Sequence, residues 1–185
     1  KFGVGSLEVG VKKYFLVWTT TPWTLPANVA LAVGADVEYV EVKMKNSGEI
    51  FILAKARLEV LEGEYEIIKE TTGAALVGAE YEPLFTTLGD AKNFQNAYKV
   101  YAADFVSTSD GTGIVHMAPA YGEDDAKLGE KMSLPTLFSV DSTGMVTMDV
   151  PGKGQFFKKA DIAISADLTA RGLMYKEGKL THSYP

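Results

Sequence analysis

Apolar, β-branched stretches recur along this chain, each of them short and each closed by glycine, proline or a polar turn. That punctuation limits what the chain can fold into, because segments of this length and composition make strands and cannot span a bilayer. The spacing predicts strands over residues 12–18, 29–33, 38–45, 49–53, 64–69, 98–102 and 114–118, with Asn46-Ser47-Gly48 as a hairpin turn. Helical spacing is confined to residues 55–61, to the stretch from Gly122 to Met132 opened by Glu123, Asp124 and Asp125, and to residues 156–170 closed by Gly172. The tail from Leu173 onward carries a short strand pattern. There is no internal repeat and no low-complexity tract. The pattern predicts a mainly β fold with helical insertions, a barrel or curved sheet rather than an alternating parallel α/β sheet.

Composition narrows the function classes. With 185 residues, 46% of them hydrophobic and 23% charged, the chain can bury one sizeable core, as a single domain or as a large insertion of a longer protein. A first residue of Lys1 fits the second case. Acidic residues outnumber basic ones, 24 against 18, which excludes a protein that holds nucleic acid mainly through its own positive field. The absence of cysteine removes disulfides, thiolate nucleophiles and cysteine-ligated zinc, and fits a cytoplasmic location. No signal or transmembrane segment is expected. Only His116 and His182 could supply imidazole, without a paired ligand motif, so no metal site is expected. Gly3-x-Gly5 and Gly111-x-Gly113 lack the third glycine of a dinucleotide loop.

Two segments carry possible chemistry. In WTTTPWTLPAN, Trp18 to Asn28, the hydroxyls of Thr19, Thr20 and Thr21 stand where a strand breaks into a loop fixed by Pro22 and Pro26. They can bind a ligand's sugar, ester or phosphate oxygens, or satisfy local backbone groups. In GTGIVHMAPAYGEDD, Gly111 to Asp125, His116 sits near a strand end and is either a structural residue or a functional one. Asp124 and Asp125 read as solvated acids of a helix N-terminus.

Taken together, these two segments, some ninety residues apart, resemble the editing domain of isoleucyl-tRNA synthetases, the connective-peptide insertion of class I aminoacyl-tRNA synthetases. The resemblance covers most of the chain, including the closing His182-Ser183-Tyr184-Pro185. It implies a closed β-barrel core of the valyl/isoleucyl/leucyl editing type, with a lead-in ribbon at 1–10, the editing domain at 11–180 and an exit linker at 181–185. The implied activity is hydrolysis of valine misattached to the isoleucine tRNA, and of valyl-adenylate. The family's Asp125 counterpart anchors the substrate α-ammonium. The counterparts of Thr19, Thr20 and Thr21 line the pocket toward the terminal adenosine, the ester or the attacking water, so Asp125, Thr20 and Thr21 are the implied catalytic set. Trp23 and Asn28 shape the nucleotide side, and His116 contacts the amino-acid part and helps reject isoleucine. Implied partners are the tRNA acceptor end, valyl-adenylate and the rest of a monomeric, cytoplasmic synthetase. No cofactor is implied here; ATP and magnesium belong to the parent enzyme's synthetic site.

Valyl and leucyl enzymes typically carry arginine at the place of Thr21, an acid at that of Trp23, and no histidine at that of His116; on all three positions this chain resembles the isoleucyl type. Met117 and Ala126 depart from common family residues. Lys131-Met132-Ser133-Leu134 resembles the synthetase KMSKS signature, but it lacks the second Lys-Ser and any HIGH partner, so it is a coincidence. A valyl/leucyl-type editing domain, a free-standing aminoacyl-ester hydrolase and a non-catalytic binding module are the competing readings.

Overall fold

The computed structural model describes residues 2–4, 12–89 and 91–177. In chain order the strands are β1 (Phe2–Val4), β2 (Lys13–Phe15), β3 (Ala30–Val33), β4 (Glu38–Met44), β5 (Ile50–Ala54), β6 (Tyr65–Thr72), β7 (Tyr81–Glu82), β8 (Lys99–Ala102) and β9 (Ile114–Met117). The helices are α1 (Gly73–Leu76), α2 (Glu123–Lys131) and α3 (Phe157–Ala170), with 3-10 turns at Pro22–Ala27, Lys55–Val60 and Phe94–Asn96. The predicted tail strand is irregular over residues 173–177, and beyond that it lies outside the described residues, as do the exit linker and all of the lead-in ribbon except 2–4.

The strands form two mixed sheets, one ordered β6-β4-β5-β2-β1-β7 and the other β8-β3-β9. This corrects the expected closed β-barrel core. Closure needs continuous ladders around the ring, whereas among the described residues the β-bridges between the two sheets are the isolated pairs Trp18–Val115 and Glu80–Lys99. The cause is local. β2 cannot extend, because Pro22 and Pro26 turn the chain into a 3-10 coil soon after Phe15. β7 is two residues long, and the far edge, β6, is exposed along most of its length.

Burial explains the layering. β3 and β5 are buried at every residue, as strands covered on both faces must be. Leu31 and Val33 of β3 meet Phe15, Ile52 and Ala54 of the larger sheet in a central core, which Ala160, Ile164 and Leu168 of α3 close. On the other face, Ala30 and Ala32 pack with Met117, Leu128, Leu134 and Leu137, where the small side chains let α2 come close. A third cluster, Val40, Val42, Phe51 and Leu53, lies behind the larger sheet.

Two differences from expectation have clear causes. Residues 55–61 form a 3-10 turn rather than an α-helix, because Arg57 leaves helical geometry (φ −115°) to donate from its guanidinium to Gly111 O and Ser109 O. The Gly111-x-Gly113 pair is a close-approach device: Gly113 has φ +74°, and a Cβ there would fall 2.4 Å from that of Ala54.

Tyr39 is fully buried, and its hydroxyl ties the end of β3 to the start of β9 by accepting from Gly34 N at 3.0 Å and donating to Gly113 O at 2.6 Å. Tyr39→Phe leaves both backbone groups unpaired away from water. Urea unfolding of this variant is expected to show a loss of about 2 kcal/mol with an unchanged m-value; a loss under about 0.5 kcal/mol would contradict this role.

Candidate functional site

The two segments singled out in the sequence meet where β9 pairs antiparallel with β3, with His116 opposite Leu31 and Met117 opposite Ala30. Pro22 opens the 3-10 turn that follows the threonines, a position where its missing N–H costs nothing and its fixed φ favours the turn. The turn brings Thr24 back beneath Thr21. Thr24 Oγ1 donates to Thr21 O at 2.8 Å and lies 3.1 Å from Thr21 Oγ1 and 3.0 Å from His116 Nε2. Thr21 N donates to Thr19 Oγ1 at 3.1 Å.

The hydrogen-bond partners across this array favour one imidazole tautomer. Thr24 Oγ1 donates to Thr21 O, and the Asn28 amide, oriented by Ala30 O and by Tyr81, turns its Nδ2 toward His116 Nδ1, an arrangement that suits the tautomer with the proton on Nε2. His116 Nδ1 is then an acceptor facing Asn28 Nδ2 at 3.5 Å. Asn28 also donates to Ala30 O at 2.8 Å and accepts from the Tyr81 hydroxyl at 2.5 Å. The result is a buried polar chain, Tyr81–Asn28–His116–Thr24–Thr21, passing through residues that are 5%, 3%, 9% and 4% exposed as far as Thr24. Burial with no carboxylate contact pulls the His116 pKa down to about 4, so the ring is neutral at physiological pH.

Asp125 approaches from α2. Its Oδ2 accepts from Ala118 N at 2.8 Å, two residues beyond His116. Desolvation pushes its pKa up, the nearby Asp124 adds to that, and the Ala118 amide opposes it. Trp23 is half-buried, with its ring between Tyr121 and Phe157 at centroid distances of 4.8 and 4.9 Å. Its backbone N–H donates to Asp161 Oδ1 of α3 at 2.7 Å.

The structure thus joins Thr19, Thr21, Asn28 and His116 in one hydrogen-bonded array and places Asp125 beside the strand that carries His116. Thr20 is exposed at the rim, while Asn28 is buried with its amide bonded inside the protein. Three contributors escaped the sequence reading. Thr24 lies inside the quoted motif, three residues after Thr21, and that spacing was its signal. Tyr81 and Asp161 meet the array from 53 and 138 residues away and carry no local signal. Among the described residues, no group of three or more His, Cys, Asp or Glu could hold a metal ion. The arrangement offers hydroxyl acceptors and donors, a neutral imidazole and one carboxylate, a set suited to binding a polar ester beside an ammonium group.

Comparison with known proteins gives the context for this site. No family model matches the chain. It is similar to the isoleucine–tRNA ligase of Clostridium acetobutylicum, at 54% identity over 100% of this chain and 17% of that protein. The isoleucine–tRNA ligase of Clostridium novyi is 53% identical over the same shares, and that of Bdellovibrio bacteriovorus 46% identical over 92% of this chain and 16% of the relative. The chain therefore spans about one sixth of the length of these relatives. Its fold is similar to the crystal structure of GlLeuRS-CP1, with a TM-score of 0.70 at 17% identity, covering 93% of this chain and 87% of that one. It is also similar to the editing domain of the P. falciparum cytosolic leucyl-tRNA synthetase, with a TM-score of 0.67 at 14% identity, covering 92% and 86%.

The depressed histidine pKa has a consequence for stability. The unfolded chain takes up a proton on His116 near pH 6.5 and the folded one only near pH 4, so stability is full above pH 6.5 and is lost as pH falls toward 4. The histidine's share of that loss is about 3 kcal/mol. Urea unfolding between pH 7 and pH 4 is expected to show a steeper decline for the native sequence than for His116→Gln; parallel curves would mean that the imidazole titrates as in water.

Proposed function

We propose that the chain, 53–54% identical to a segment of two isoleucine–tRNA ligases, is the proofreading domain of such an enzyme, which hydrolyses valine misattached to the isoleucine tRNA and valyl-adenylate. The synthetic pocket of such an enzyme cannot reject a side chain one methylene smaller by more than about 1–3 kcal/mol, a limit for which isoleucine against valine is the standing illustration, so a second, size-excluding site is needed.

The observation that carries this reading is the bonding of the threonine hydroxyls to His116, with the Asp125 carboxylate on the backbone amide two residues beyond it, in a fold shared with editing domains. In the mechanism, Asp125 binds the α-ammonium of valine in a charge-assisted contact. The hydroxyls of Thr20 and Thr21 orient water toward the ester carbonyl, with Thr19 supporting Thr21. The water oxygen bonds to the carbonyl carbon, the carbon–oxygen bond to the ribose breaks, the ribose oxygen takes a proton, and valine leaves as its carboxylic acid. No covalent enzyme intermediate is needed, and positioning supplies the rate. His116 has both ring nitrogens committed and stays neutral, which favours a role in shaping the amino-acid pocket against isoleucine over that of a general base. Trp23 borders the nucleotide side, and Asn28 acts from beneath by holding His116.

A net charge of −6 fits a domain that receives only the flexible acceptor end while the rest of a monomeric, cytoplasmic synthetase holds the tRNA. The proposed boundaries put the editing unit at 11–180, between a lead-in at 1–10 and an exit linker at 181–185. Identity of 46–54% to isoleucine–tRNA ligases favours this specificity over a leucyl or valyl one.

The test is deacylation of preformed valyl- and isoleucyl-tRNA for isoleucine by the full-length enzyme containing this segment. Valine should be released and isoleucine spared. Asp125→Ala should slow valine release about 10- to 100-fold, the worth of one charge-assisted bond, and His116→Ala should extend release to isoleucine. Absence of valine release from the unmutated enzyme would defeat the proposal.

A further inference from the structure

The 3-10 turn Pro22–Ala27 has an unusual beginning. Thr21 stands at its N-cap, where a threonine hydroxyl ordinarily accepts from one of the first backbone N–H groups of the helix. Here it makes no such bond. Every donor it could serve is already satisfied: Pro22 has no N–H, Trp23 N donates to Asp161 Oδ1 at 2.7 Å, and Thr24 N donates to Thr21 O at 3.0 Å. The Thr21 hydroxyl is therefore left facing Thr24 Oγ1 at 3.1 Å and Thr19 Oγ1 at 3.4 Å.

We propose that Asp161 is a positioning residue that caps the 3-10 turn from α3 and so keeps the Thr21 hydroxyl turned toward the candidate site. The inference rests on the editing reading for its functional meaning, and on the hydrogen-bond geometry for its structural one. Two ring contacts hold Trp23 of the turn against its neighbours, one of them on α3. Phe157, one helical turn before Asp161, packs on the Trp23 ring at 4.9 Å, and Tyr121 closes the ring's other side at 4.8 Å. Tyr121 is itself held by Ser139 N, Ser139 Oγ and Val140 N, which donate to its hydroxyl at 2.6, 3.1 and 3.1 Å. Without the carboxylate, the partly buried Trp23 N–H loses its acceptor, and the nearest local replacement is the Thr21 hydroxyl in its ordinary capping rotamer. That rotation would withdraw the hydroxyl from Thr24 and from the substrate.

The experiment has a structural arm and a kinetic arm. Crystal structures of Asp161→Ala and Asp161→Asn should show Thr21 Oγ1 moved from Thr24 to Trp23 N in the alanine variant only, because the asparagine amide oxygen can still accept. In the full-length enzyme, Asp161→Ala should lower kcat for valine release about tenfold with KM within about twofold, and Asp161→Asn should restore most of the rate. In a Thr21→Val background, Asp161→Ala should change kcat less than about twofold, since the hydroxyl it governs is already gone. A Thr21 hydroxyl still on Thr24 in the alanine variant, or effects of the two substitutions that simply multiply, would overturn the proposal. If the hydroxyl moves but the unmutated enzyme releases no valine, the editing reading fails while the capping role of Asp161 stands.

Discussion

A buried histidine that must stay neutral is the constraint around which this domain is organised. Taking His116 out of water penalises its charged form, and no carboxylate lies against it to restore that form. A neutral imidazole has one donor and one acceptor nitrogen, so each needs a partner of matching sense. Asn28 and Thr24 provide them, and Tyr81 fixes which way the Asn28 amide points. In a low-dielectric junction, such a network works only when every member is satisfied. This links the register of β3 on β9, the pitch of the proline-opened turn and the placement of β7, which come from three separate parts of the chain.

The threonine array inherits its order from that network. Because Thr24 accepts from the imidazole and donates to Thr21 O, the Thr21 hydroxyl has a limited choice of partners, and the carboxylate of α3 removes a competing one. The buried part of the array thus lies underneath, while Thr20 is exposed and Asp125 is half-buried on the Ala118 amide. The proposed discrimination between two aliphatic side chains differing by one methylene would ask for this division, since a loosely held wall would yield to the larger one.

Much of the architecture was legible in local sequence. Alternation and β-branching located the strands from β2 to β6 and β8 and β9 to within a few residues, and the three acids after Gly122 marked the start of α2. The close approach at Gly113 follows from a residue type that sequence can show. Less legible was how the strands pair. The parallel neighbours β2–β5 and β3–β8 arise from long-range packing, and the two-residue β7 has no periodicity to detect. The strand count pointed to a barrel or curved sheet and the family resemblance implied a closed barrel, but neither reveals that β2 joins the smaller sheet only through the Trp18 bridge among the described residues. The site divided in the same way. Thr19, Thr21 and His116 were visible as clustered polar residues at strand ends, whereas Tyr81 and Asp161 became partners only through the fold.

The central claim is the protonation state of His116, and imidazole nitrogen NMR of the isotopically labelled chain between pH 7 and pH 4.5 tests it most directly. The account predicts a ring that is neutral, with its proton on Nε2, over most of that range, and whose titration midpoint lies only near pH 4. A proton on Nδ1, or a midpoint near the ordinary value of about 6.5, would contradict the hydrogen-bond assignment and the ordering of the threonines that depends on it.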